Sequence, residues 1–107
     1  AQGLGASLDF RQSNHEGELI DWIQAARQDA DGLIINGAGL TYTSIAILDA
    51  LLAYEKPIIE VHMSNIYKRE PFRHHSYISK AATGIVAGLG PLGYELAITA
   101  LLKLIDK

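Results

Sequence analysis

The stretch Pro57-Ile58-Ile59-Glu60-Val61-His62-Met63-Ser64-Asn65 decides the fold. It opens as a β-branched apolar run, which favours a buried strand, and it sets a carboxylate and an imidazole two positions apart. Side chains on a strand alternate faces, so Glu60 and His62 project to the same side. One can hold the other. A carboxylate that accepts a hydrogen bond from one ring nitrogen fixes the tautomer and raises the basicity of the imidazole, which fits His62 to general acid/base work. Ser64 and Asn65 end the strand at its carboxyl edge, where ligands collect in open α/β sheets. A Glu-x-His on a strand also serves as a plain satisfied polar pair. Arg69 and Arg73, close behind it, bring more polarity than a core requires.

Before this strand, Gly32-Leu33-Ile34-Ile35-Asn36 reads as a second buried strand running into Gly37-Ala38-Gly39. Glycines there either let backbone amides approach a ligand or make a tight turn. Ser44 to about Tyr54 reads as a helix capped by Thr41 or Thr43, apolar almost all round except at Asp49. Such a helix is expected to be covered on more than one side, by the domain or by another subunit. Earlier still, Leu8, Phe10 and Gln12 alternate with Asp9 and Arg11 as in a short strand. Ser13 to Glu16 has capping-box spacing, and Leu19, Ile20, Ile23 and Ala26 form a helical stripe to about Gln28, with Trp22 at its edge.

After the central strand, Ile66 to Arg73 reads as one basic helical turn stopped by Pro71. Arg69 and Arg73, four apart, would then share a face near His62. His74 to Tyr77 reads as loop, Thr83 to Gly90 as a glycine-bearing strand, and Pro91 as the first helical position before Leu92 to Ile105. Strands alternating with helices predict an α/β domain with a parallel sheet.

The 107 residues suffice for one domain, and a 49% hydrophobic composition argues against disorder. A formal net charge of -3 gives no general attraction to nucleic acid or anionic membranes, so any anion site must be local. No cysteine is present, which removes disulfides, thiolate metal sites and a cysteine nucleophile and fits a cytoplasmic protein. No basic-then-apolar leader and no apolar run near 20 residues points to export or a membrane.

Among the histidines, His15 falls in a helix's first turn, and His74 and His75 are adjacent, so no zinc spacing arises with His62 and no metal is expected. Gly-x-Ser-x-Gly and Gly-x-x-x-x-Gly-Lys are both missing, and the glycines from Gly84 to Gly93 do not fit a dinucleotide fingerprint. Residue chemistry therefore predicts a polar pocket at the strand ends, formed by Asn36, Glu60, His62, Ser64, Arg69 and Arg73. Arginine forks match carboxylates and hydroxyls, which suggests proton transfer on a small anion.

At these residues the chain closely resembles the type II 3-dehydroquinate dehydratases. The likeness is carried by Phe10-Arg11-Gln12-Ser13-Asn14-His15-Glu16-Gly17, Ile34-Ile35-Asn36, Thr43-Ser44-Ile45-Ala46, Ile59-Glu60-Val61-His62-Met63-Ser64-Asn65, Arg69 through Tyr77, and Gly88-Leu89-Gly90. The resemblance implies a flavodoxin-like three-layer fold and a cofactor-free anti elimination of water from 3-dehydroquinate through an enolate, in the shikimate or quinate pathway. It implies His62 as the general acid and Glu60 as its orienting partner. Asn36 would position the substrate and a bridging water. Met63 and Ser64 would hold the carboxylate, and Arg73 would bind ring hydroxyls. It further implies homo-oligomers of trimers grouped into dodecamers, with Asp49 reaching a neighbouring subunit's site.

Three departures from the family pattern stand out. The family's opening segment, with its central first strand, lid arginine and tyrosine base, has no counterpart in residues 1–107, so the chain is expected to be the C-terminal two-thirds of a longer domain. Tyr42 stands where a substrate-binding histidine is usual. Gly37 replaces a proline or alanine, which is expected to loosen the loop after Asn36. Two further readings are a non-catalytic member that binds a quinate-like anion or only assembles, and a generic flavodoxin-like binding module.

Overall fold

The β-branched runs read from the sequence form three strands, β1 (Leu33–Ile35), β2 (Ile58–His62) and β3 (Gly84–Ala87), between helices α1 (Glu16–Asp29), α2 (Ile45–Tyr54) and α3 (Leu92–Ile105). This computed structural model describes residues 9, 11–13 and 15–105, leaving aside the side chains of Arg73 and His74 and the surroundings of Gly39. All pairing is parallel in the order β1-β2-β3, with Leu33 opposite Ile58 and Ile59 opposite Gly84. Of the expected strand from Leu8 to Gln12, Leu8 and Phe10 lie outside the described residues, and Asp9, Arg11 and Gln12 have no regular structure.

Strand alternation divides β2 between two cores. Ile58 packs with Ile23 of α1, with Ile47, Leu51 and Tyr54 of α2, and with Ile78. Ile59 and Val61 face the other way, onto Ala97 and Leu101 of α3. The result is three layers, with α1 and α2 on one face of the sheet and α3 on the other, as the flavodoxin-like expectation required. Glu60 and His62 lie on the Ile58 face, so the fold itself turns both polar side chains toward the α1/α2 side.

Several local expectations are corrected. The helix at α2 is capped by Ser44, whose Oγ accepts from the Ile47 N–H at 3.0 Å, while Thr41 and Thr43 do not cap it. No capping box forms at α1. Ser13 Oγ accepts the His15 N–H and bonds Glu18, and Glu16 reaches across to Ser44 instead. Within the described chain the domain covers α2 on one side and leaves Ile45 and Leu52 more than half exposed, so of the two covers expected for this helix the domain supplies one. The segment after β2 is not one helical turn but two short 3-10 helices, Ile66–Lys68 and Pro71–His74, with Arg69 extended between them. Pro71 opens the second turn, where its missing N–H costs nothing, and does not close the first.

Gly37 carries a different duty from the one expected of it. Its backbone is right-handed helical, and a Cβ there would stand 2.5 Å from Ile78 Cδ1 and 2.8 Å from Thr41 Oγ1. The position is small because Ile78 occupies the space, and the loop is packed, not loosened. The left-handed residue of this loop is Ala38, with φ of +49°. After β3, Gly88 does need its freedom, with φ of +86° and a would-be Cβ 3.2 Å from Asn65.

Candidate active site

The carboxyl ends of β1 and β2 open into a cleft of about 330 Å³ lined by Asn36, Ala38, Tyr42, His62, Met63, Ser64, Ile66 and Arg69. Of the sequence-predicted pocket residues, Asn36, His62, Ser64 and Arg69 line this cleft, and Glu60 stands one step behind His62. Asp49 is exposed in a separate groove between α1 and α2, beside Ile20, Gln24 and Arg27. The backbone of Arg73 lies in the Pro71–His74 turn, and its side chain is outside the described residues. Because Arg69 is extended, the two arginines do not share a helical face.

His62 Nε2 lies 2.5 Å from Glu60 Oε2, and both side chains are almost fully buried. With Nε2 engaged, Nδ1 is the ring nitrogen left to exchange a proton. Tyr42 stacks against the ring, with centroids 6.4 Å apart and planes inclined by 21°. Asn36 is held at both ends of its amide. Its Oδ1 accepts the Ala38 N–H at 3.1 Å, and its Nδ2 donates to the Tyr94 hydroxyl at 3.0 Å. The bend after β2 is latched to the β3–α3 loop, where Gly88 N–H donates to the His62 carbonyl at 3.1 Å and Gly90 N–H to the Met63 carbonyl at 2.8 Å.

Sequence reading missed three residues here. Ser76 and Ser79 both donate to Glu60, Ser76 to Oε2 at 2.8 Å and Ser79 to Oε1. Tyr94, on α3, reaches Asn36 from 58 positions away. No local period signals such partners. The one available hint was that a buried carboxylate needs more than a single donor.

Burial pushes the Glu60 carboxyl up, but the hydrogen bonds from His62, Ser79 and Ser76 and the charge of His62 outweigh it and hold the group below its ordinary value. A carboxylate depressed in the folded state stabilises the fold above its unfolded pKa, about 4.3, and that stabilisation is lost as pH falls through the lower folded value. Melting temperature should therefore drop on acidification below pH about 4.3. The drop should be shallower for Glu60→Gln, and parallel curves would show that Glu60 does not govern the acid limb.

The chain is similar in sequence and fold to known proteins. The family described as dehydroquinase class II matches residues 1–102. A 3-dehydroquinate dehydratase 2 from Pseudomonas putida is 52% identical over 107 residues, covering 100% of this chain and 72% of the relative. A catabolic 3-dehydroquinase from Aspergillus clavatus is 55% identical over 98 residues, covering 92% of this chain and 65% of the relative. The crystal structure of a type II dehydroquinase from Propionibacterium acnes superposes with a TM-score of 0.91 at 45% identity, covering 95% of this chain and 75% of that one. Matched by the family over residues 1–102 and more than half identical to the Pseudomonas putida and Aspergillus clavatus relatives, the chain belongs to the class II dehydroquinase family.

Proposed function

We propose that this chain dehydrates 3-dehydroquinate to 3-dehydroshikimate, acting as a type II hydro-lyase. The observation that carries the reading is the buried Glu60–His62 pair, its Nε2 engaged, at a cleft that also presents Asn36, Ser64 and Arg69. His62 is the general acid. As the C–O bond breaks, the departing hydroxyl takes the Nδ1 proton and leaves as water, while Glu60 stabilises the imidazolium and fixes the ring. Asn36, held by Ala38 and Tyr94, positions the enolate and a bridging water. The Met63 and Ser64 amides with the Ser64 hydroxyl bind the substrate carboxylate, and Arg69, Arg73 and Tyr42 bind its oxygens.

The proton on the carbon next to the carbonyl is removed, in the family, by a tyrosine of the opening segment. Residues 1–107 are read as the C-terminal two-thirds of such a domain, a proposal supported by the 72% of the Pseudomonas putida relative that the chain covers. Intact mass of the native protein tests it. The reading needs no cofactor or metal and invokes no nucleic acid. Among the described residues no helix is long and apolar enough to cross a membrane. We place the protein in the cytoplasm, as a dodecamer of trimers in which Asp49 serves a neighbouring subunit. Its exposed position beside the uncovered Ile45 and Leu52 of α2 supports that assembly.

The test is turnover of 3-dehydroquinate by protein expressed from its complete reading frame, followed by the ultraviolet absorbance of the conjugated enone product. Elimination should be anti with stereospecifically deuterated substrate, and borohydride added with substrate should not inactivate. Borohydride trapping at a lysine would replace the enolate route with a Schiff base. Saturable binding of a quinate-like anion without turnover would favour the non-catalytic reading.

A further inference from the structure

Glu60 is 0% exposed and has three donors: His62 and Ser76 on Oε2, and Ser79 on Oε1. A carboxylate that accepts from three partners has no use for a proton of its own and little freedom to rotate. The two serines reach it together for a local reason. Ser79 lies within the short Ile78–Lys80 turn, and Ser76 stands three positions earlier, just ahead of its N-cap Tyr77. Ser76 Oγ accepts the Ser79 N–H at 3.1 Å, so its own proton is left to be given to Glu60.

The turn is itself fixed in place. Ile78 is fully buried against α2 and the sheet, its carbonyl accepts from both Ala81 and Ala82 at 3.0 Å, and Tyr77 N–H donates to the Thr41 carbonyl at 2.9 Å. Two hydroxyls are thus held by a rigid support and aimed at the carboxylate behind the acid.

We propose that Ser76 and Ser79 are positioning residues for catalysis, a hydroxyl clamp that locks Glu60 as an acceptor so that His62 keeps its Nε2–H on Glu60 in either charge state and its imidazolium presents Nδ1–H to the substrate. The inference rests on the dehydratase reading for its kinetic consequence and on geometry alone for its tautomeric one. Without the clamp, Glu60 can turn away or take up a proton, and either change frees the ring to adopt the Nδ1–H tautomer in its neutral form. Glu60 then no longer points the ring, and turnover falls while substrate contacts in the cleft persist.

The test uses Ser76→Ala, Ser79→Ala, the double alanine variant and Ser79→Thr, made in the complete reading frame. Each alanine should lower kcat about tenfold, as expected for losing a hydrogen bond to a charged group, with KM within about twofold. The threonine, which keeps the hydroxyl, should restore most of kcat. Nitrogen-15 NMR of the His62 ring in its neutral form should show the Nε2–H tautomer in the parent and a mixture in the double variant. A lowered melting temperature with unchanged kcat and unchanged tautomer would overturn the clamp and leave the serines as packing partners. If the protein dehydrates nothing, the NMR result still decides the clamp by itself, while the dehydratase reading fails separately.

Discussion

Replacing His62 with alanine is expected to lower turnover about a hundredfold to ten-thousandfold, the usual cost of losing a general acid. Glu60→Gln should also lower turnover, because a neutral amide fills the same space yet supports an imidazolium less. Substrate affinity should change little in either case, since the pair acts on the departing hydroxyl. The double variant should be scarcely worse than His62→Ala, because groups that act as a unit are strongly non-additive. Steady-state kinetics beside melting curves provides the check. If the pair merely satisfies polarity at a strand end, Glu60→Gln will cost stability and leave turnover per folded molecule intact. Undiminished turnover in His62→Ala would end the mechanistic reading.

Ile78→Ala is expected to destabilise the fold by about 2 to 5 kcal/mol, the range for emptying a fully buried aliphatic site that collapses only in part. Ile78 is 0% exposed, packs against α2 and β2, and fills the space over Gly37. Adding a methyl at Gly37 should be harmful alone, because the Cβ would stand 2.5 Å from Ile78 Cδ1. In the Ile78→Ala background the same methyl enters the vacated volume, so Gly37→Ala should cost less there than in the parent. Chemical denaturation of the four proteins measures the coupling. Simple additivity would show that the two positions do not share one space.

Part of this arrangement was legible in the sequence because it depends on local order. Period-two alternation placed Glu60 and His62 on one side, and the structure joins them at 2.5 Å. Pro91 before an apolar stripe marked α3 with the bounds observed, Leu92–Ile105. The segment after β2 resisted reading because 3-10 turns of three and four residues carry no period, so a break at Arg69 looks the same in sequence as a continuous helical turn. Ser76, Ser79 and Tyr94 escaped for another reason. Their partners lie 16, 19 and 58 positions away, and only the assembled sheet brings them together. Gly37 was misread because its smallness answers to Ile78, a neighbour in space and not in sequence.

The register of the sheet also bears on the order in which the molecule is assembled. Leu33 pairs with Ile58 and Ile59 with Gly84, a separation of 25 positions in each case. Loop-closure entropy depends only weakly on length, so at equal length the two crossovers start level. What differs is the cargo. The first crossover carries α2, with Ile47, Leu51 and Tyr54 to bury as it docks, whereas the second carries short turns that bury, among the described residues, the smaller pair Ile66 and Ile78. Hydrophobic gain therefore favours closing β1 onto β2 first. Glu60 then waits in a half-built sheet for the hydroxyls that arrive with the second crossover, so the hydrogen-bonded surroundings of the acid are completed only after β1 and β2 have paired.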